Sequence, residues 1–429
     1  MRLRPLPKDA LLPDDVKAAP SVKKTFEVEL ITPLYGGGVE AGQPDTEMPI
    51  RVSAIRGQLR FWWRLLNPRR NLQDETEIWG GISETEATAS KVILRINDMP
   101  KSEDFEKKSC AEFKKFNPES KEKNEKKDNP LWKKGAGYVL GIQNDLSSTS
   151  LLVPKKGRKI DFKLELRVVA ATKGERQHIW DYCVLPALRW WASFGGLGAR
   201  TRRGLGSVKI ADLVPVTEEE AKKVDCKLVI PKPDASDHDA TKAWTMAIGK
   251  LQQFRQGVGV GRDSGPSRSR WPEADSIREI TGRYPIAHTP IHPAKQSFPR
   301  AVFGLPIITD FMRDTEPPKT TLYPVVENDK KEDEKRDRMA SPLILKAMWT
   351  GKDYQSIALL LPHDIDMGLC LLFSSKDDKN CRNNLLPTEV RGDWWPKEKR
   401  DAMTGAKDNP LSGRTGDILQ DFLNFFQEK

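Results

Sequence analysis

The pattern of apolar and polar residues near the N-terminus predicts a strand, a helix and a second strand. Residues 26–32 alternate in the manner of a half-buried strand, which Pro33 ends. Ser53 fits the N-cap of a helix that covers residues 54–66 and that Pro68 stops. Residues 92–96 form the next strand-like run.

The predicted helix carries two different stripes. Its apolar stripe has helical spacing and consists of Ile55, Leu59, Trp62 and Leu66. A second stripe, Arg56, Arg60 and Arg64, advances by one turn at each step and is displaced from the first by roughly 90 to 170 degrees. We therefore expect the apolar stripe to pack in the core and the arginines to form a solvent-facing ridge.

A second helix lies between two further predicted strands. Residues 162–170 alternate as a strand, residues 177–194 are helical in pattern, and residues 207–213 form a last strand. Pro186 predicts either a late start or a kink in this helix. The order strand, helix, strand, strand, helix, strand is that of a ferredoxin-like fold. The aromatic signatures of RNA-recognition modules are absent, so we do not expect bases to stack on the sheet.

The pattern as a whole predicts an α+β chain with two ferredoxin-like (RRM-like, βαββαβ) domains. The N-terminal domain covers residues 22–215, with a charged insertion at about 99–135. Residues 216–241 are expected to be a linker, and residues 242–429 the C-terminal domain. Its predicted elements are a helix at 242–254, strand-like runs at 300–311 and 342–362, and a closing helix at 415–426.

The distribution of charge points to an anionic partner. The 429-residue chain has 71 lysines and arginines against 61 acidic residues, a net charge of +10. Residues 101–134 and 327–338 mix both signs, which favours solvated loops. Residues 48–73 contain six arginines and no acid or lysine, and residues 195–206 contain three arginines and no acid. These last two stretches are therefore the first candidates for binding nucleic acid.

Other classes of chemistry have little support in the sequence. The five cysteines are scattered without a C-x-x-C pair, so neither a zinc site nor a disulfide framework is expected. His288 and His292 are four residues apart, but the prolines around them exclude the regular helix of a zincin pair. We expect no metal, no cofactor and no catalytic residue. Without a long apolar run or an N-terminal apolar signal segment, we expect a cytoplasmic protein that has no membrane partner.

Arginine and glycine together suit a phosphate backbone. A guanidinium group binds phosphate bidentately, and glycine lets backbone N–H groups approach closely. The residues that we expect to contact RNA are Gly36, Gly37, Gly38, Arg51, Arg56, Arg60, Arg64, Gly196, Arg200, Arg202, Arg203, Gly204, Arg255, Arg268, Arg270 and Trp271. Four alternatives stay open. The stripe Arg56, Arg60 and Arg64 could be a solvated helix face that pairs with acids elsewhere, and residues 195–206 could be a basic loop that merely caps a helix. Residues 36–38 could form a plain turn, and Trp271 could be buried rather than stacked on a base.

Several segments carry a resemblance to a known family. They are TPLYGGG at 32–38, AIRGQLRFWWR at 54–64 with IWG at 78–80, GGLGARTRRGLGS at 195–207, FRQG at 254–257, RSRWPEAD at 268–275 and PRAVFGLP at 299–306. Together they resemble the RAMP superfamily of CRISPR effector proteins. More narrowly, they resemble the family of first-numbered subunits of the Cmr complex in type III-B systems, over about residues 26–361.

The resemblance implies a function as well as a fold. It implies a position at the end of a helical ribonucleoprotein, together with other RAMP subunits. There the chain would engage the 3′ region of the guide RNA and the complementary target RNA in antiviral defence. Target cleavage would belong to a neighbouring backbone subunit, so the resemblance implies RNA binding without catalysis.

Two nuclease interpretations remain as alternatives. A guide-RNA-processing endoribonuclease of the same superfamily would share the glycine-rich loop and use a positioned histidine as general acid–base. Neither the first predicted strand nor the first predicted helix contains a histidine, which counts against it. A target-RNA nuclease would use Asp45, which lies in the loop between that strand and that helix.

Overall fold

The computed structural model describes residues 20–82, 87–115, 131, 135–140, 147–231, 236–257, 260, 269–311, 313–327, 333–363, 368–374, 383–385, 396–405 and 411–428. Its strands are β1 (Ser21–Leu30), β2 (Leu34–Tyr35), β3 (Gly81–Ile82), β4 (Ala87–Thr88), β5 (Val92–Asn97), β6 (Phe105–Ser109), β7 (Ser150–Pro154), β8 (Ile160–Val169), β9 (Val208–Lys209), β10 (Lys227–Val229), β11 (Ser236–Asp237), β12 (Ile307–Thr309), β13 (Lys319–Glu327), β14 (Asp333–Lys335), β15 (Leu343–Trp349), β16 (Tyr354–Leu360), β17 (Gly368–Ser374) and β18 (Asn383–Leu385). Its α-helices are α1 (Val52–Leu66), α2 (Leu72–Trp79), α3 (Cys110–Lys115), α4 (Gly137–Leu140), α5 (Lys173–Ile179), α6 (Leu185–Phe194), α7 (Glu218–Lys222), α8 (Ala240–Gln256), α9 (Glu273–Thr281), α10 (Lys397–Gly405) and α11 (Ile418–Gln427).

The N-terminal sheet is built from the four predicted strands, but β1 begins and ends earlier than the predicted 26–32, and of the predicted strand 207–213 only β9, Val208–Lys209, is formed. Its order is β5-β8-β1-β9, and each neighbouring pair is antiparallel. Every second side chain of β8 is buried, beginning with Ile160, which is the pattern of a sheet covered on one face. Helices α1 and α6 cover that face, and their Trp62 and Trp191 join Phe26 and Val28 of β1 in one core. The chain order of the main elements is strand, helix, strand, strand, helix, strand.

Both predicted helices differ from expectation in detail. Helix α1 begins at Val52, after the extended backbone of Arg51, and Ser53 lies inside the first turn. The prediction of Ser53 as the N-cap is therefore wrong. The second predicted helix consists of α5 and α6 joined by a π-helix, Trp180–Val184. Pro186 lies in the first turn of α6, and the wider turn before it accommodates a residue without an N–H group.

A hairpin of the C-terminal half serves both halves of the protein. Strands β15 and β16 pair along their whole length, and both faces of this hairpin are buried. In β15, Leu343 and Leu345 pack into the C-terminal core, whereas Ile344 and Met348 pack into the N-terminal core. Because side chains alternate along a strand, a single strand contributes to two cores.

Residues 216–241 contain ordered elements where the composition suggests a linker. Helix α7 begins with a capping box, in which Thr217 and Glu220 bond each other's backbone N–H groups. Strands β10 and β11 both pair with β16, on the edge that β15 leaves open. This part of the chain therefore supplies a strand to the C-terminal sheet.

The remaining elements complete the C-terminal half. Strands β12, β13, β17 and β18 form a separate antiparallel sheet, to which β14 adds at β13. Helix α8 lies against β15 and β16, and α11 packs on α8. Within the described ranges, no helix combines the length and the apolarity needed to cross a bilayer.

Candidate nucleic-acid interface

Two glycine-rich loops meet at one surface of the N-terminal half. The Ala199 N–H donates to the Tyr35 carbonyl at 2.7 Å, which joins the loop after α6 to β2. Gly37 and Gly198 both have positive φ angles, and a Cβ on Gly37 would lie 3.1 Å from the Gly198 Cα. Both glycines are exposed. Backbone without side chains therefore forms this surface, and a phosphate could approach it closely.

The other predicted glycines serve the packing of the protein itself. Gly36, Gly196 and Gly204 are buried. A Cβ on Gly204 would lie 2.4 Å from the Trp244 ring, and one on Gly38 would lie 2.5 Å from a carbonyl oxygen of the following turn. Their requirement for glycine thus has a structural reason that is independent of any ligand.

Arg200 and Arg202 project from the loop after α6 and are half-buried. Arg200 has a left-handed backbone, stacks over the Tyr35 ring at 4.7 Å and donates to the Val139 carbonyl. Arg202 donates to the Ser341 carbonyl. Burial lowers the pKa of Arg202. Both guanidinium groups are held in place by backbone carbonyls rather than by acids.

Arg203 joins the two halves of the protein. Its guanidinium donates to the Leu343 carbonyl at 2.8 Å and to the Phe303 carbonyl at 2.9 Å. Its own carbonyl accepts the Trp244 indole N–H at 2.7 Å. Burial lowers the pKa of Arg203 to about 10, with smaller contributions from Arg255 and Arg202. Its charge is therefore kept at neutral pH, and the half-buried side chain lies between the two halves.

Arg255, at the end of α8, belongs to the same group of cations. It donates to the Tyr138 hydroxyl at 2.7 Å and lies over the Phe303 ring at 5.2 Å. Its Nε is buried and has no hydrogen-bond partner among the residues that the structure describes. We call Arg200, Arg202, Arg203 and Arg255 the arginine cluster. In the part of the chain that the structure describes, none of the four contacts a carboxylate, so their positive charge is uncompensated.

The arginine stripe of α1 is not the solvent-facing ridge that its spacing predicts. Arg60 bonds the Glu75 carboxylate at 2.5 Å, and Arg64 lies 3.5 Å from the same carboxylate. Arg56 donates to the Ser90 hydroxyl at 2.8 Å. Residues 48–73 contain no acid, but Glu75 lies just beyond them on α2 and is buried. Arg64 keeps 56% of its side chain exposed, and it is the most accessible of the three.

Asp45 and Arg51 are engaged with each other and with the loop before α1. Asp45 accepts the N–H groups of Glu47 and Met48, both at 3.0 Å, and pairs with Arg51 at 2.9 Å. The bond from the Met48 N–H, followed by the bond from Arg51, lowers the pKa of Asp45. Both carboxylate oxygens thus have partners within the loop, which is the arrangement of a capping carboxylate.

The last predicted group lies near α9. Trp271 is 1% exposed, with Phe254 at 5.8 Å and Arg300 at 5.7 Å from its ring. Its burial makes it a core residue and leaves no face open for a base. Arg270 is exposed, and Arg268 lies outside the described residues.

Lys346 is a buried cation that the sequence reasoning missed. It is 0% exposed on β15 and donates to the Gly195 carbonyl at the end of α6, at 2.8 Å. Burial lowers its pKa to about 7. A lysine inside the apolar run LILKAMW was the available signal.

His288 and Glu316 form a second arrangement that the sequence did not predict. His288 Nδ1 contacts a Glu316 oxygen, and Arg278 bonds both Glu316 oxygens, at 2.7 and 3.1 Å. Burial opposes the ionisation of Glu316, but the bonds from Arg278 and His288 outweigh it and lower its pKa. Among the described residues, no three His, Cys, Asp or Glu side chains are grouped to hold a metal ion.

The fold and this cationic surface define an α+β protein with a candidate site for phosphate-rich ligands. The family model of the RAMP superfamily matches residues 27–209 of this chain. A solved chain of the type III-B Cmr-beta structure, bound to cognate target RNA and AMPPnP in the presence of single-stranded DNA, is 10% identical to it. That similarity covers 94% of this chain and 98% of the other, with a TM-score of 0.38. Among curated proteins, no sequence matches this chain.

Proposed function

We propose that this chain is a non-catalytic RNA-binding subunit of a type III-B CRISPR ribonucleoprotein. In this proposal it engages the 3′ region of the guide RNA and the complementary target RNA, alongside other RAMP subunits. The match of the RAMP family model to residues 27–209 supports the class of protein. The observation that carries RNA binding is the arginine cluster without acidic contacts, beside two loops of exposed glycine backbone.

Each part of this surface has its own task in the proposal. Arg200, Arg202 and Arg255 supply charge to the RNA backbone, and Gly37 and Gly198 let a phosphate reach backbone N–H groups. Arg203 acts mainly by holding the loop after α6 against the C-terminal half. Neutralised phosphates release counterions, so binding should weaken steeply as salt rises.

We also infer that both halves are variants of the ferredoxin-like fold. The N-terminal order of strands and helices supports this for the N-terminal half. In the C-terminal half, β10 and β11 together, α8, β15, β16 and α11 follow the order strand, helix, strand, strand, helix. An experimental structure that placed α8 and α11 on opposite faces of the hairpin would contradict this inference.

A binding titration tests the RNA-binding role. The variant Arg200→Gln with Arg255→Gln removes two charges from the cluster and spares Arg203, whose loss would disturb folding. The matched control is Lys23→Gln with Lys163→Gln, which removes two exposed charges that pair with Glu165 and Asp98 on the sheet.

The probe is single-stranded RNA of mixed sequence, titrated at several salt concentrations. We expect the cluster variant to reduce the slope of log affinity against log salt by about 1.4, at about 0.7 for each phosphate that the protein no longer neutralises. The control should keep the slope of the unmodified protein. Equal slopes for both variants would refute the assignment of the cluster.

One observation favours the endoribonuclease alternative. A histidine oriented by a carboxylate is a common acid–base arrangement, and His288 with Glu316 has that form, with 26% of the histidine side chain exposed. Under this alternative, His288→Gln would abolish cleavage of guide-precursor RNA while leaving RNA affinity unchanged. Under the main proposal, the unmodified protein does not cleave that RNA, and the variant makes no difference.

A further inference from the structure

Strand β1 has an open edge. Strand β9 pairs with β1 at Glu29 and Leu30, whereas β8 pairs with β1 along its full length. Most of the β1 edge opposite β8 is therefore without a neighbouring strand among the described residues. The N-terminal part of β1 along this edge is mainly exposed.

The backbone groups on this edge can be identified from the register. The Ile31 N–H donates to the Ser207 carbonyl at 2.9 Å, so Ile31 turns its polar groups toward the β9 side. In an antiparallel ladder every second residue faces the same neighbour. Lys23, Thr25 and Glu27 therefore turn their N–H and C=O groups toward the open edge. Within the described part of the chain, these backbone groups meet no neighbouring strand on that side.

A groove runs beside this edge. It has a volume of about 700 Å³ and is lined by Lys24, Thr25, Phe26, Leu185, Arg189, Asp212, Leu213 and Val214. We call it the edge groove. Leu185 and Arg189 of the lining belong to α6, and Leu213 and Val214, in the segment after β9, are called its far wall. Val214 is 69% exposed, so the far wall presents an apolar side chain to solvent.

The far wall is fixed by one arginine. Arg189 donates to the Val214 carbonyl at 3.0 Å and to the Pro215 carbonyl at 3.2 Å. It also bonds both oxygens of Glu220, at 2.9 and 3.0 Å. The groove is thus preformed, and the charge of Arg189 is engaged within the protein. Of the two cations that line the groove, Lys24 is the exposed one, and its ammonium lies 5.5 Å from the centre of the Trp180 ring.

We propose that the edge groove receives an extended segment of a neighbouring protein subunit, which adds to the sheet as a strand beside β1. Main-chain bonds to Lys23, Thr25 and Glu27 would satisfy the open edge, as in other cases of strand addition. The chemistry of the walls calls for apolar side chains facing Leu213 and Val214 and a carboxylate near Lys24. This proposal rests on the proposed function as a subunit of a ribonucleoprotein.

Two other occupants fit the groove less well. The β1 of a second copy would bring its own wall of residues 212–214 between the two edges, so the two sheets could not meet. RNA offers no alternating N–H and C=O groups, and the carboxylate of Asp212 in the groove lining would repel its phosphates. A single strand from another protein satisfies the backbone and the charge together.

Hydrogen exchange on the unmodified protein tests the proposal. In the isolated chain, the amides of Lys23, Thr25 and Glu27 should exchange fast, and those of Lys24 and Phe26, which face β8, should exchange slowly. In the ribonucleoprotein purified through a tag on this chain, the first three amides should slow by about tenfold or more. Equally fast exchange in the particle would overturn the proposal. So would equal slowing by mixed-sequence RNA alone, or in a dimer of the isolated chain.

Two variants provide an independent measurement. Thr25→Pro removes an N–H that has no partner among the described residues, so it should spare the β1–β8 ladder. Thr25→Val keeps that N–H and is the control. Val214→Asp places a carboxylate on the exposed wall. We expect Thr25→Pro and Val214→Asp to be lost from the particle, whereas Thr25→Val is retained. Retention of all three would contradict the proposal.

Two outcomes distinguish a failure of strand addition at the edge groove from a failure of the proposed role as an RNA-binding subunit. A tagged chain that purifies without RNA and without protein partners would refute both. A chain that purifies with its partners while its β1 edge still exchanges fast would refute strand addition alone.

Discussion

Lys346→Met should stabilise the protein at neutral and mildly acidic pH. Lys346 is buried, and among the described residues it has no counter-charge and one hydrogen bond, to the Gly195 carbonyl. A pKa that falls from 10.5 to about 7 means that holding the charged lysine in the folded protein costs about 5 kcal/mol, at about 1.4 kcal/mol for each tenfold change in proton affinity. Methionine removes this cost but leaves the Gly195 carbonyl unsatisfied, at about 1–3 kcal/mol. The expected net gain is about 2–4 kcal/mol in the free energy of unfolding.

The dependence of this gain on pH follows from proton linkage. Below pH 7, the lysine is protonated in both the folded and the unfolded chain, so the cost is constant. Between pH 7 and 10.5, the unfolded chain holds the proton and the folded chain has lost it, so the stability of the unmodified protein rises with pH. The advantage of Lys346→Met should therefore shrink by about 3 kcal/mol between pH 6 and pH 9.

Denaturant unfolding at pH 6, 7.5 and 9 measures this effect. The matched control is Lys352→Met, which removes an exposed lysine from the turn of the same β15–β16 hairpin. We expect this control to change stability by less than about 0.5 kcal/mol at each pH. A Lys346→Met protein that is less stable at pH 6, or whose difference from the unmodified protein is the same at all three pH values, would refute the reasoning.

Three further changes have clear expected outcomes. Glu75→Ala leaves Arg60 without its partner and should lower the free energy of unfolding by about 3 kcal/mol, measured by denaturant unfolding; no loss of stability would contradict the buried pair. Trp271→Phe should lower the melting temperature and leave RNA affinity unchanged, because the ring is buried; a loss of affinity in a folded variant would restore the stacking interpretation. Glu316→Gln should remove the stability that Glu316 contributes above its usual pKa of 4.5. In the unmodified protein this contribution is lost as the pH falls through the lowered pKa, so the two melting temperatures should converge toward pH 3; a difference that is independent of pH would contradict the paired carboxylate.

The N-terminal sheet and its helices were accessible from sequence because their signals are local. Alternation fixes which side of β8 is buried, and helical spacing places Trp62 in the core. The glycine-rich loops were found for a similar reason, since runs of glycine and arginine stand close together in the chain. No long-range information was needed for these elements.

The partners of the arginines could not be predicted in the same way. Arg60 meets an acid on a different helix, and Arg203 bonds carbonyls that are 100 and 140 residues away. Whether an arginine is free depends on such contacts, which composition within a window does not report. The sequence did not predict ordered elements within residues 216–241, for a related reason. Strands β10 and β11 form because they pair with β16, which lies far along the chain.

The hairpin that contributes to both cores has a consequence for how the protein can move. A chain cut between residues 216 and 241 would leave Ile344 and Met348 without the N-terminal core and would expose apolar side chains of that core. Neither fragment should be stable alone, and a hinge between the halves would have to split a buried apolar face. The two halves should therefore keep their relative position during assembly. Any conformational change on ligand binding should be confined to the loops.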